Sequence, residues 1–373
     1  MKFSCEKEKL KIGLILVEKT ASRTFNSINL SPILIEVMPQ KIILKSNNFE
    51  VAVEYEIPAK IEKAGSVALP GQLITQFISN LNPNEKNIKI EHLKQTLHVS
   101  SEQTSATIKT LPTDNYPKIK KLKESDPAVK IFTLDAADLI SGIKSVSYAA
   151  SLSDIKPEIS SIYVYQDNNE LFFVATDSFR LAEKRLKIDK NNSNNLSALI
   201  PAKNSQEIVR IFEKTIGPLE VMISGNQLAL KSDNTYFTTR LIEGVFPDYK
   251  QIIPKGFSTE VTVSRESLLA SLRITNVFTN RFSQVGLKVI PNENLFEIST
   301  ANQEVGEVVT RLSGQLSGEE VSNQFNSRFL LDCLQATQSS EVSLAFAGEN
   351  KPLLLRPVGD NSFFYLVMPL YRT

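Results

Sequence analysis

The chain has 373 residues, of which 42% are hydrophobic and 22% are charged, and its formal net charge is +1. This composition is typical of a globular protein with apolar residues for more than one core, and it excludes a wholly disordered chain. Lysine and arginine together number 42 against 41 acidic residues, so the chain lacks the basic excess of a strongly basic nucleic-acid-binding protein, although one face can still be basic. At about 150 residues per domain, the length predicts two or three domains.

The N-terminal segment is charged and lacks the apolar stretch of a secretory signal, and the apolar run at 12–17 is far shorter than a membrane span. We therefore expect a cytoplasmic protein that does not bind membranes. The two cysteines, Cys5 and Cys333, are too few for a disulfide framework. Both fall in segments that we expect to be helical, where they would be small buried hydrophobic residues.

The same order of predicted elements occurs three times along the chain. Each copy opens with a short strand and an amphipathic helix, and these helices are predicted at 6–21, 135–150 and 265–276. A strand pair, a further strand, a second helix, a closing hairpin and a last strand follow in each copy, because runs rich in Ile, Val, Leu, Phe and Tyr end at polar turn residues. The second helices are predicted at 71–81, 203–214 and 327–336.

The first two copies also end in similar tails, LPTDNYPKI at 111–119 and IEGVFPDYKQI at 242–252. Proline stops a strand at this point, and the charged segment at 120–127 is typical of a linker. We predict an α+β fold of three tandem similar domains, each with two helices and about eight antiparallel strands. The predicted domains are 1–122, 128–248 and 249–373.

Motifs that carry enzyme chemistry are absent from the sequence. There is no Walker A loop, G-x-G-x-x-G, H-E-x-x-H, C-x-x-C or G-x-S-x-G elbow. The two histidines, His92 and His98, fall in a polar hairpin of the first copy, and the Glu319–Glu320 pair is typical of a solvated loop. We expect a protein that is not an enzyme and has neither a metal nor a cofactor. An enzyme with carboxylates assembled from distant residues remains an alternative.

Four separated segments carry a resemblance to a known family: VATDSFRLAEKRL at 174–186, IPAKN at 200–204, GVFPDYKQIIP at 244–254 and VMPL at 367–370. With these segments in order along the whole chain, the sequence resembles the bacterial DNA polymerase III beta subunit, the processivity sliding clamp. The resemblance implies a DNA clamp fold and a head-to-tail homodimer, in which three domains per subunit form half of a six-domain ring around duplex DNA. It implies a non-catalytic subunit that tethers the replicative polymerase. A clamp-like scaffold that recruits replication or repair partners without encircling DNA is the alternative.

The resemblance also implies a hydrophobic peptide pocket between domains two and three, which binds the polymerase alpha subunit, the clamp-loader delta subunit and other proteins with clamp-binding motifs. Carried over by position, the pocket consists of Ile159, Thr176, Ser178, Phe179, Arg180, Leu181, Pro247, Gln251, Ile252, Leu366, Val367, Met368, Pro369 and Leu370. Apolar anchors would bury a Leu or Phe of the peptide, and methionine adapts to varied shapes. Phe179 replaces a histidine common in the family, and Tyr371 follows where a basic residue is frequent, so we expect a more apolar pocket. From pattern alone, Leu181 and Val367 fit plain strand core equally well.

Contacts with duplex DNA in such a ring would be electrostatic, made to phosphates and independent of base sequence. The basic residues on helices predicted to face the hole include Lys7, Lys11, Lys144, Lys203, Arg210 and Arg273, and Arg23 matches a family position near the DNA. We expect about half of the helix residues to face DNA, because helical phase is poorly determined by sequence. At the subunit interface, Ile108, Val277 and Phe278 match apolar family positions, with internal core as the alternative.

Overall fold

The computed structural model describes residues 1–20, 32–114, 116–188 and 196–370. The chain divides into two units: Met1–Ala137 with Gln206–Leu241, and Asp138–Ser205 with Ile242–Thr373. Each unit combines a terminal repeat with part of the middle repeat. The described residues form six α-helices: α1 (Lys7–Glu18), α2 (Gly71–Ser79), α3 (Ala136–Val146), α4 (Ala202–Phe212), α5 (Arg265–Val277) and α6 (Ser327–Ala336).

Each repeat contributes eight or nine strands within these residues. The first repeat has β1 (Lys2–Glu6), β2 (Pro32–Val37), β3 (Lys41–Asn47), β4 (Val51–Pro58), β5 (Lys60–Lys63), β6 (Gly65–Pro70), β7 (Asn87–Leu93), β8 (Thr96–Ser100) and β9 (Ser105–Lys109). The second has β10 (Lys130–Asp135), β11 (Ser161–Asp167), β12 (Glu170–Thr176), β13 (Arg180–Lys187), β14 (Ser197–Pro201), β15 (Pro218–Ser224), β16 (Gln227–Lys231) and β17 (Thr235–Arg240). The third has β18 (Thr259–Ser264), β19 (Gln284–Ile290), β20 (Leu295–Asn302), β21 (Gly306–Leu312), β22 (Gln315–Gly318), β23 (Val321–Asn326), β24 (Glu341–Phe346), β25 (Leu353–Pro357) and β26 (Phe363–Val367).

The helices and the strand pairs expected from the hydrophobic pattern are present in all three repeats. The pattern did not predict the strand that leads into each second helix, which is β6, β14 or β23. These strands are short, and β6 begins at Gly65 and ends at Pro70, residues that ordinarily mark turns. One expectation about Cys5 was wrong, because it lies in β1 and not in a helix, whereas Cys333 is in α6.

The first unit contains two sheets. Its eight-stranded sheet has the order β10-β15-β16-β17-β4-β3-β2-β6, and its five-stranded sheet has the order β5-β1-β7-β8-β9. In the larger sheet the last strand of the second repeat, β17, pairs antiparallel with β4 of the first repeat, with Phe237 opposite Val53. Helix α1 buries Leu10, Leu14 and Val17, which recur at helical spacing on one face.

The second unit is built in the same way. Its nine-stranded sheet has the order β14-β11-β12-β13-β26-β25-β24-β18-β22, and its four-stranded sheet has the order β21-β20-β19-β23. Here the last strand of the third repeat, β26, pairs antiparallel with β13 of the second, with Leu181 opposite Leu366. Helix α3 approaches this sheet closely at Gly142, where an added Cβ would lie 2.6 Å from the ring of Phe173.

None of the helices in the described ranges is long and apolar enough to cross a membrane.

The two thiols provide a test of the core. Cys5 is 5% exposed and Cys333 is fully buried, and burial raises the pKa of each thiol to about 12. Because the thiolate is the reactive form, we expect neither cysteine of the folded protein to react with Ellman's reagent at pH 8, and both to react in denaturant. Rapid reaction of either thiol in the native protein would contradict the packing described here.

Candidate functional site

The turn between β12 and β13 is held by a local network of side-chain and backbone hydrogen bonds. The carboxylate oxygen Oδ1 of Asp177 accepts from the backbone N–H groups of Phe179 at 2.9 Å and Arg180 at 3.0 Å. The hydroxyl of Thr176 accepts from the N–H of Ser178 and donates to the carbonyl of Arg180 at 2.6 Å. Ser178 adopts a left-handed backbone with φ of 77°, which turns the chain sharply and leaves the Phe179 ring 62% exposed.

Arg180 connects this turn to helix α6. Its Nε donates to Asp177 at 2.9 Å and its Nη1 donates to Asp332 at 2.6 Å, while the guanidinium lies 4.3 Å from the centre of the Phe329 ring. Burial opposes the charged form, but the hydroxyl of Tyr365 and the two carboxylates outweigh it and raise the pKa of Arg180. Arg180 is therefore a positioning residue that holds the turn in place.

The floor beside the turn is formed by the paired strands β13 and β26. Leu181, Leu366 and Val367 are each at most 1% exposed, and the first two belong to a buried apolar cluster. The pairing continues beyond β26, because the N–H of Met368 donates to the carbonyl of Phe179 at 2.8 Å. Of the two alternatives left open by the sequence, strand core describes the side chains of Leu181 and Val367 in this structure.

The tail of the second repeat lies against the same cluster. Phe246 and Tyr249 are buried in it and Ile253 packs on it, while Pro247 and Ile252 are exposed. Ile252 is 47% exposed. The side chain of Gln251 donates to the carboxylate of Asp248 at 2.7 Å. Buried and exposed residues thus alternate along the tail. The buried residues anchor it on the cluster, and the exposed ones include residues of the predicted pocket.

A buried polar contact secures the tail to β13. The hydroxyl of Tyr249 donates to Glu183 Oε2 at 2.5 Å and lies 2.8 Å from the hydroxyl of Tyr165. The other oxygen of Glu183, which is 2% exposed, accepts from Arg185 at 2.6 Å. Burial and these hydrogen bonds raise the pKa of Tyr249, so it stays protonated as a donor to the carboxylate.

We use the name apolar cleft for the predicted peptide pocket at these elements. Its accessible apolar groups are Phe179, Ile252, Met368 and Leu370, above the buried floor. Of the remaining predicted residues, Thr176 and Pro369 are buried and Ser178 is exposed. Ile159 is 9% exposed and its carbonyl accepts from Ser151, so its place in the cleft stays a prediction. Tyr371 lies outside the described residues.

The predicted DNA-contacting cations fall into different environments. Lys11 is partly exposed, and Lys144, Lys203 and Arg273 are exposed on their helices. The prediction for Lys7 was wrong, because this residue is 3% exposed and its ammonium donates to the carbonyls of Asn82 at 3.0 Å and Pro83 at 3.3 Å. Arg23 lies outside the described residues.

Arg210 is also a structural residue. Its guanidinium donates to the Leu16 carbonyl at 3.0 Å, to the Thr20 hydroxyl at 2.6 Å and to the carboxylate of Glu207. It therefore satisfies the C-terminal end of α1, where backbone carbonyls lack helical partners. This use leaves Arg210 poorly placed to neutralise a phosphate.

The predicted interface residues also differ from one another. Val277 is 75% exposed at the end of α5 and Phe278 is partly exposed, but Ile108 is 5% exposed, so its side chain is internal core. Two further apolar side chains are exposed on the same repeat: Ile274, which is 52% exposed one turn before Val277 on α5, and Val309, which is 53% exposed on β21. Helical spacing places Ile274 on the same face of α5 as Val277, whereas no local sequence signal marks Val309 as exposed.

No group of three or more His, Cys, Asp or Glu side chains within the described part of the chain is arranged to hold a metal ion.

Comparison with known proteins agrees with this architecture. Family models of the DNA polymerase III beta subunit match the N-terminal domain at 1–120, the central domain at 133–248 and the C-terminal domain at 250–371. The beta sliding clamp of Streptococcus pneumoniae is 28% identical over 365 residues, covering 94% of this chain and 95% of the relative. Crystal structures of a DNA polymerase sliding clamp from Bacillus subtilis and of the beta subunit from Streptococcus pyogenes are 25% and 26% identical, with TM-scores of 0.92 and 0.91 and complete coverage of both chains. The chain therefore belongs to the DNA polymerase III beta subunit family, the beta sliding clamps.

Proposed function

We propose that this clamp works as a homodimeric ring of three domains per subunit, 1–122, 128–248 and 249–373, that encircles duplex DNA in the cytoplasm. The ring tethers the replicative polymerase and carries out no chemistry itself. The observation that carries the proposal is the pattern of strand pairing between successive repeats. In each unit, the last strand of one repeat pairs with the strand after the hairpin of the preceding repeat.

Isolated bridges give the alignment of the three repeats. Leu111, Ile242 and Leu370 each pair with the strand before the second helix, at Ala68, Leu199 and Gln324. Strands β9, β17 and β26 are therefore equivalent. From each bridge partner, the residues opposite one another in successive paired strands lead to one further residue. Ala68 leads to Glu54, Leu199 to Glu183 and Gln324 to Val309. These three residues are therefore equivalent, and so are their strands β4, β13 and β21.

Two of the three equivalent pairings are made within the chain, as β17 with β4 and β26 with β13. The strands left at sheet edges are β9 and β21. Pairing β9 of one copy with β21 of another satisfies both edges and repeats the internal junction. Such a heterologous contact between different surfaces closes into a ring when its rotation permits. The internal registers place Ser105 opposite Val309 and Ala106 opposite Val308.

Helix ends support the same assembly. Lys7 and Arg265 begin equivalent helices, and each cation donates to a carbonyl at or just beyond the end of the next helix. In the first repeat, Leu16 and Thr20 accept hydrogen bonds from Arg210. Counting along the helices from Lys7 and Arg265, the equivalent residues of the third repeat are Ile274 and Phe278. The third repeat presents apolar side chains at this position, which suits burial against a second copy.

The exposed cations supply sequence-independent contacts to DNA. The first helix of each repeat carries one of these cations, Lys11 on α1, Lys144 on α3 and Arg273 on α5, and α4 carries Lys203. Lysine and arginine that meet phosphates release counterions and carry no base information, which lets a ring slide. Retention then comes from topological linkage rather than from tight binding.

The apolar cleft serves as the docking site for partner peptides, including segments of the polymerase alpha subunit, the clamp-loader delta subunit and other proteins with clamp-binding motifs. Phe179, Ile252 and Met368 present apolar surface around a turn that is rigidly hydrogen-bonded. A preorganised apolar cleft binds a short apolar peptide with little ordering cost.

The ring is tested by placing charge at the proposed interface. Val277→Asp with Val309→Asp should raise the dimer dissociation constant by about 100-fold or more, since carboxylates would be buried in apolar surroundings. Sedimentation velocity measures the assembly. Ile216→Asp is the control for an added surface carboxylate, because Ile216 is 98% exposed and belongs to neither β9 nor β21. A wild-type monomer at micromolar concentration would argue against the ring.

Charge reversal tests the DNA contacts. After loading onto a nicked plasmid by the clamp loader, wild-type protein should co-elute with circular DNA in gel filtration and be released by linearisation. Lys203→Glu with Arg273→Glu should lower retention roughly tenfold, as phosphate contacts are lost. Lys60→Glu with Lys63→Glu gives the same charge change on β5 as a control. Equal retention on linear and circular DNA, or partner recruitment without retention, would favour the non-encircling scaffold.

The cleft is tested with a fluorescein-labelled clamp-binding-motif peptide. Phe179→Ala with Met368→Ala should weaken binding by about 2–4 kcal/mol in fluorescence anisotropy, because two apolar contacts are lost. Phe282→Ala, at a site that is 58% exposed, is the control and should bind normally. Leu181→Ala should instead lower the free energy of unfolding by about 2–5 kcal/mol, as a core cavity does. Unchanged peptide affinity in the double variant would refute the assignment.

A further inference from the structure

The first unit contains a second groove, at the junction between the first and second repeats. Its volume is about 490 Å³. We call it the polar groove, and its lining includes Asn47, Glu50, Lys118, Lys120, Thr239 and Arg240. All of these residues belong to the first unit, and none takes part in the apolar cleft.

The polar groove is built on the same turn as the apolar cleft. Asn48 Oδ1 accepts from the N–H groups of Glu50 at 3.0 Å and Val51 at 2.7 Å, as Asp177 does in the second repeat. Phe49 has a left-handed backbone with φ of 72°, matching the 77° of Ser178. The registers make these residues equivalent, since both hairpins continue from equivalent strand pairs.

The tail segment that borders the polar groove also corresponds to the tail that borders the apolar cleft. The tail of the first repeat is anchored by Tyr116, whose hydroxyl donates to the Lys45 carbonyl at 2.9 Å, and by Asn47, whose amide donates to the Pro117 carbonyl at 3.4 Å. This tail stands where the anchored tail of the second repeat borders the apolar cleft. The structure therefore contains two clefts of common design.

Their chemistry is different. From the bridge alignment, Thr238, Thr239 and Arg240 stand where the apolar cleft has Leu366, Val367 and Met368. Glu50 stands in place of Phe179. The polar groove therefore has hydroxyl-bearing side chains on its floor where the apolar cleft has apolar ones. It lacks the apolar surface that would bind a leucine or phenylalanine of a peptide.

The polar groove carries an excess of positive charge. Lys118, Lys120 and Arg240 line it and are exposed, and within the residues that the structure describes none of the three side chains forms an ion pair. Among the described residues that line the groove, Glu50 is the one carboxylate. Unpaired cations around a concave polar surface favour an anionic ligand.

Phe49 adds a second observation at the rim. A bulky residue with positive φ is strained, and its ring is 66% exposed. Neither the positive φ nor the exposed ring stabilises the folded chain by itself. An exposed ring beside cations does provide an apolar contact for a ligand.

We propose that the polar groove binds an extended acidic peptide segment of a partner protein, with its carboxylates paired to Arg240, Lys118 and Lys120 and an apolar side chain placed against Phe49. The proposal rests on the proposed function only in taking the equivalent cleft as a peptide site. A peptide is favoured over a nucleic acid because Glu50 would repel a continuous phosphate backbone, while spaced carboxylates can avoid it.

The probe is a fluorescein-labelled pentapeptide in which a leucine is flanked by two carboxylate residues on each side, and its comparison peptide carries the corresponding amides. In fluorescence anisotropy with the full-length protein, Arg240→Glu with Lys118→Glu should weaken the acidic peptide by about tenfold or more. Lys60→Glu with Lys63→Glu, which changes the net charge equally, should leave its affinity within about twofold. Phe49→Gly should weaken binding while keeping or raising the melting temperature, because glycine relieves the positive φ.

The outcomes separate the two peptide sites. Phe179→Ala with Met368→Ala should leave acidic-peptide binding unchanged, so loss of clamp-motif binding alone would count against the proposed function and not against the polar groove. Equal affinity for the acidic and amide peptides, or no effect of Arg240→Glu with Lys118→Glu, would overturn the proposal. It would also be overturned if that variant lost affinity for a labelled DNA oligonucleotide but kept the acidic peptide.

Discussion

Antiparallel pairing between strands of successive repeats is the interaction on which the rest of the structure depends. It joins β17 to β4 and β26 to β13, so that each large sheet runs without interruption through a repeat boundary. Backbone hydrogen bonds of this kind satisfy groups that a sheet edge would leave unpaired. The equivalent strands β9 and β21 lie at edges of the smaller sheets, and the proposed ring would pair them between copies.

The internal junctions are reinforced by buried carboxylates at equivalent positions. Glu54 is 2% exposed and pairs with Lys45 at 3.3 Å and Lys121 at 2.5 Å, while Glu183 is satisfied by Arg185 and Tyr249. Buried charges that require specific partners penalise a shifted register. The equivalent position on the free edge is the exposed Val309, which needs no charged partner and can be buried by apolar contact. In the proposed ring, the junctions within the chain and the junction between copies would therefore differ chemically.

The repeat also places two clefts on one design. A turn with a left-handed second residue, a strand floor and an anchored tail recur in both, but the side chains on the floor change from leucine, valine and methionine to threonine and arginine. Backbone hydrogen bonding determines the shape of each cleft, and side chains at equivalent positions determine what each can bind. If both proposed sites bind peptides, divergence between the repeats has changed the ligand chemistry of one site while the backbone scaffold of both is kept.

The sequence by itself determined the threefold order of elements, the helices and most hairpins, because periodic apolar residues and turn residues are local signals. It also identified the family through four contiguous segments, and the resemblance predicted a peptide pocket at residues that belong mostly to those segments. The strands before the second helices were missed, since short segments bounded by Gly65 or Pro70 give weak local signals. Tertiary structure decided which cations are available, because Lys7 and Arg210 bind carbonyls distant in sequence, and it placed Leu181 and Val367 in the core. The pairing of β17 with β4, and hence the identity of the free edges, also required it. These features depend on contacts between residues that are 75 or more positions apart in the chain, such as Lys7 with Asn82, which local patterning does not encode.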